Sequence, residues 1–104
     1  VSRGKVDEAE RLALQAMETV GPEDQLSKWT TRMALGVVRA AQGRDAEAEQ
    51  LLTDSVEAFA GNGMRCAELQ ALEQLTKFLR DRGRNDEARR QEERAHDLAP
   101  GIAA

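Results

Sequence analysis

Three glycine-led segments of one pattern recur along the chain: Gly4-Lys5-Val6-Asp7-Glu8-Ala9, Gly43-Arg44-Asp45-Ala46-Glu47-Ala48 and Gly83-Arg84-Asn85-Asp86-Glu87-Ala88. Their glycines stand 39 and 40 residues apart. A period between roughly 20 and 50 residues is the mark of stacked supersecondary units, each unable to bury its apolar face alone. The glycine suits the end of a helix, because it adopts positive φ without a Cβ penalty. The acidic residues after it suit the start of the next helix, where the dipole favours negative charge. A chain of 104 residues leaves room for one such domain.

Between the glycines the apolar spacing is helical. Val6, Ala9, Ala13, Ala16 and Val20 recur in steps of three and four, with Leu12 and Met17 beside them, which predicts a helix over 5–20 ended by Gly21-Pro22. A second helix starts between Glu23 and Leu26 and runs to Gln42, with Leu26, Trp29, Met33, Val37 and Ala40 on one side and Leu35 and Val38 on another. A third, over 44–60, uses Ala48, Leu52, Ser55, Val56 and Phe59, and Gly61-Asn62-Gly63 stops it. A fourth, over 64–82, buries Leu69, Leu72, Leu75, Phe78 and Leu79. The fifth, over 84–98, carries only Ala88, Ala95 and Leu98 amid charge and reads as a solvated cap, ended by Pro100 and Gly101 before a frayed tail. Composition agrees: Ala, Glu, Lys, Leu and Arg supply more than half of the residues, whereas six Val, one Ile and three aromatics are too few for a sheet protein.

Helix pairs hinged at a glycine with a small residue five positions later resemble the tetratricopeptide repeat (TPR) family. Leu35-Gly36 is similar to the family's leucine-glycine pair in the first helix, Gly43 to its hinge, Ala48 to the small wedge position, Leu52 to the large apolar position, and Ser55-Val56 to the closing pair. Downstream, Leu75, Gly83, Ala88, Ala95 and Leu98-Ala99-Pro100 resemble the corresponding positions of a last unit. Departures stand at Arg39, where the family prefers an aromatic, at Thr76, where it has glycine, and at Glu92, where it has an apolar residue. The steps exceed the family's basic repeat of roughly 34 residues. They look like the long-repeat variant found in bacterial regulators and sensor proteins. The resemblance implies an all-α, α-α superhelix of about five antiparallel helices. It divides the chain into a half repeat (1–22), two repeats (23–62 and 63–100) and a tail (101–104).

Chemistry is sparse. His96 is the only histidine and Cys66 the only cysteine, so neither a zinc site nor a His-assisted dyad is expected. A lone thiol fits a reducing cytoplasm. No phosphate loop occurs, no apolar run approaches the roughly 20 residues of a membrane span, and a net charge of −4 argues against nucleic acid. The chain is therefore expected not to be an enzyme and to need no cofactor. The basic run Lys77, Arg80, Arg82 and Arg84 reads either as a solvated face or as a surface for an acidic peptide.

What remains is a binding surface. By the family's pattern the concave face consists of Thr30, Met33, Val37 and Ala40 in one unit and Gln70, Glu73, Lys77 and Arg80 in the next, with Trp29 as an anchor or as packing. The expected partner is a protein or peptide, and the expected setting is a larger regulatory or signalling protein. The alternative is a ligand-sensing or self-association domain of a transcriptional regulator, kinase or cyclase. The open apolar stripe of the 5–20 helix, without a preceding helix, fits either a longer array or a homo-oligomer.

Overall fold

The computed structural model describes residues 3–21 and 23–103. It is all-helical: α1 (Arg3–Thr19), α2 (Gln25–Ala41), α3 (Asp45–Gly61), α4 (Arg65–Asp81) and α5 (Asn85–Ala103) follow one another with no strand among the described residues. Each helix packs on the one before and the one after, and α2 also touches α4. No comparable backbone approach joins α1 to α3 or α3 to α5. The array is therefore tighter along its α2–α4 side and opens on the other. Its extents of 38 × 36 × 20 Å are those of a slab two helices thick.

From α2 onward the helices begin at residues 25, 45, 65 and 85, one every 20 residues. The joints repeat at the same interval. Gly43, Gly63 and Gly83 have φ of +76°, +69° and +76°, the left-handed conformation that a Cβ disfavours. At the first joint the Gly43 N–H donates to the Ala40 carbonyl and the Arg44 N–H to the Arg39 carbonyl, which satisfies two orphan acceptors at the end of α2. The Arg44 carbonyl then accepts from the Ala48 N–H, so one residue both closes α2 and caps α3. Met64 and Arg84 repeat this arrangement. The joint between α1 and α2 differs: Asp24 caps α2 by accepting from the Ser27 N–H at 3.0 Å.

Two expected breaks are corrected. Gly4 is not a hinge. It lies inside α1 without positive φ, and no carbonyl ladder needs closing at the start of a helix. Pro100 and Gly101 do not stop α5, which continues to Ala103. Proline lacks one N–H and so removes one ladder bond, but the bonds on either side keep the turn. Val1, Ser2, Pro22 and Ala104 lie outside the described residues.

The core is built from Ala48, Leu52, Val56 and Phe59 of α3, Ala71, Leu72, Leu75, Phe78 and Leu79 of α4, and Ala88 of α5. These are largely the apolar positions read from periodicity; Leu69 is only half-buried. Ala48 and Ala88 are 0 % exposed, as a close approach of helix axes requires. Gly36 serves the same purpose within α2. A Cβ there would stand 3.1 Å from Leu52 Cγ and Cδ2 and 3.2 Å from Leu51 Cβ. The equivalent of Ala48 in α4 is Glu68, 8 % exposed, whose carboxylate accepts from Arg94 at 3.2 Å.

Candidate binding groove

The inner side of the array is walled by α2 and α4. On α2, Leu26 and Val37 are 49 % and 41 % exposed, Thr30 is exposed, and Met33 and Ala40 are half-buried. This stripe turns away from the buried Leu35 and Val38, so α2 has one covered and one half-open apolar side. On α4, Gln70, Glu73, Lys77 and Arg80 are all exposed, opposite to the buried Leu72, Leu75 and Leu79. A cavity of about 310 Å³ lies between the two helices, with Val37, Ala40, Leu52, Lys77 and Phe78 among its walls. A second cleft, of about 280 Å³, lies between α4 and α5 and is lined by Glu73, Thr76, Lys77, Arg80 and Glu92 among others.

The expected groove residues therefore divide. Val37, Ala40 and Lys77 meet in the α2–α4 cavity, and Glu73, Lys77 and Arg80 meet in the neighbouring cleft, so Lys77 is common to both. Thr30, Met33 and Gln70 line neither. Trp29 packs part-buried against the core, its Nε1 donating to Gln25 Oε1 at 3.3 Å, with the Lys28 ammonium 5.4 Å and the Arg32 guanidinium 4.8 Å from its ring.

One end of the groove is closed by Arg82. It donates to both carboxylate oxygens of Asp45, at 2.7 and 2.9 Å, and to the Ala40 carbonyl at 2.9 Å, and its guanidinium lies 4.9 Å from the Phe78 ring. The α4–α5 joint is thereby tied to the end of α2 and the start of α3. Arg84 binds Glu49 through two bonds of 2.7 and 2.8 Å and also pairs with Glu87. On the outer side Arg94 joins Glu57 of α3 and Glu68 of α4. The basic run is thus split in use: Arg82 and Arg84 are held internally, Arg80 pairs with Glu92 at 2.8 Å, and Lys77 makes no ion pair among the described residues.

These contacts set the protonation of their partners. Hydrogen bonds from Arg82 hold Asp45 below the ordinary carboxylate range, and Arg84 does the same to Glu49 and Glu87. In return Asp45 raises Arg82, and Glu49 with Glu87 raises Arg84. Glu10 is lowered by hydrogen bonds from Gln42 and Arg39. Arg39 is 9 % exposed and pairs with Glu10 of α1 and Glu47 of α3. Its role was not legible in the sequence, because Glu10 and Glu47 reach it only after three helices are stacked. The joints themselves had a findable signal: Gly43, Gly63 and Gly83 are spaced by 20 residues, half the period first read.

His96 and Cys66 are both exposed, and no three His, Cys, Asp or Glu residues among those described are placed to hold a metal ion. No helix among the described residues is long and apolar enough to cross a membrane. Comparison with protein-family models, curated proteins and solved structures finds no match.

Proposed function

We propose that this chain is a protein- or peptide-binding helical-repeat module of the TPR type, acting without catalysis, and that its α2–α4 groove receives the partner. The observation that carries this reading is the half-open apolar side of α2, where the exposed Val37 and the half-buried Ala40 share a cavity of about 310 Å³ with Lys77, which makes no ion pair among the described residues. An apolar wall opposite a cation that makes no ion pair suits a segment that combines apolar side chains with a carboxylate, although Asp81 also lines the cavity. The module fits a regulatory or signalling protein of cytoplasmic setting, where reversible capture is the useful act.

The test is selection of peptides from a displayed random library on the chain, followed by binding to a Val37→Glu, Lys77→Glu double variant. Both positions are exposed, so the variant should keep its helicity and lose most of the binding. Undiminished binding by the folded variant would refute the groove. Self-association through α1 is a second reading, favoured by the exposure of Leu12 and Leu14 at 52 % and 41 %. Sedimentation of the chain as a monomer at high concentration would remove it.

A further inference from the structure

A third cleft, of about 280 Å³, lies between the end of α1 and the start of α2, lined by Met17, Val20, Gly21, Lys28 and Arg32. It differs from the other cation-bearing clefts in its charge. Between α3 and α5, Arg84 and Arg94 face Glu49 and Glu57; between α4 and α5, Lys77 and Arg80 face Glu73 and Glu92. In the α2–α4 cavity Lys77 has Asp81 as a neighbour. Among the described residues no carboxylate lines the α1–α2 cleft. Lys28 and Arg32 are both half-buried, one turn apart on α2, and neither makes an ion pair among the described residues.

Such a like-charged i, i+4 pair repels itself. The nearby acids do not compensate it: Asp24 is committed to capping α2, and Glu18 and Glu23 are exposed and outside the cleft. The Trp29 ring, 5.4 and 4.8 Å away, offers them negative potential. Beside this charge, Met17 and Val20 supply an apolar wall. In a chain of net charge −4, local positive potential next to an apolar surface marks a place where an anion gains and a neutral molecule does not.

We propose that this cleft binds a small anionic amphiphile: a carboxylate or phosphate head held by Lys28 and Arg32, with a short apolar chain laid on Met17 and Val20. Arg32 supplies a planar fork matched to either head group, and Lys28 supplies a point charge. The site is separate from the α2–α4 groove and does not depend on it.

Trp29 is the only tryptophan and lies against both cations, so its emission reports on the site directly. The full chain is titrated with octanoate, octyl phosphate, acetate and octanol while the emission is followed. The expected result is a saturable change with octanoate or octyl phosphate, at least about tenfold tighter than with acetate, and none with octanol. A Lys28→Gln, Arg32→Gln variant should bind about tenfold more weakly or worse, whereas Arg65→Gln, at an exposed position at the start of α4, should stay within about twofold of the parent chain. Amide shifts of the unsubstituted chain should cluster over residues 17–32, a readout that survives if the double variant fails to fold. No saturable response to either amphiphile, shifts centred on α4 and α5, or equal binding by the folded double variant would overturn the proposal.

Discussion

Replacing Gly36 by valine tests the stacking at its closest point. The first added carbon alone would lie 3.1 Å from Leu52 Cγ and Cδ2 and 3.2 Å from Leu51 Cβ. Unstrained carbon contacts are about 3.5–4.0 Å, so these neighbours must retreat by roughly half an ångström. Leu52 is 1 % exposed and backed by the α3–α4 core, and Leu51 Cβ is fixed to the helix backbone. Neither yields without moving α3. Against this strain stands the gain in helix propensity from Gly to Val, about 0.3–0.5 kcal/mol. Overpacking costs about 1–3 kcal/mol for small insertions, and valine adds three carbons, which places the net loss at about 2–3 kcal/mol. For a chain of this length that corresponds to a fall in Tm of about 10–20 °C. Gly61→Val is the control, because a Cβ at Gly61 meets nothing within 4 Å, and its stability should change by less than about 0.5 kcal/mol. Urea unfolding followed by circular dichroism reads both variants. A Gly36→Val midpoint equal to or above that of the parent would refute the close α2–α3 approach.

Two further expectations concern polar groups. The Thr76 hydroxyl is buried in α4 without a hydrogen-bond partner among the described residues, so Thr76→Val should raise stability by about 1 kcal/mol in the same urea assay; a lower midpoint would refute this. Acidification should destabilise the chain, because Glu10, Asp45, Glu49 and Glu87 are all held below their ordinary values of 4.5 for Glu and 3.8 for Asp. A carboxyl group with a depressed folded-state pKa contributes its stability above the unfolded value and loses it as pH falls through the folded one. Thermal melts should therefore be nearly constant from pH 7 to about 5 and decline below about 4.5 as the arginine ties release; a constant Tm down to pH 3 would contradict the ties.

The periodicity of Ala48, Leu52, Val56, Phe59, Leu72, Leu75 and Leu79 was sufficient to identify an all-α chain and most of its core, because helix amphipathicity is a local property written at three- and four-residue spacing. The joints were legible for the same reason: only glycine adopts the φ near +70° at positions 43, 63 and 83 without penalty. At its ends the sequence misled. Gly4 lies within α1 and Pro100 within α5, because a residue that can end a helix does not by itself oblige one to end. Of the expected groove, the sequence placed Val37 and Lys77 on their helices, but only the stacking angle of α2 against α4 brought them to one cavity. The tertiary structure alone decided how charge is used. Arg39, Arg82, Arg84 and Arg94 look like ordinary solvated arginines in one dimension and become ties between helices up to 42 residues apart. It likewise left Lys28 and Arg32 without acids, since an ion pair depends on distances that the order of residues does not contain.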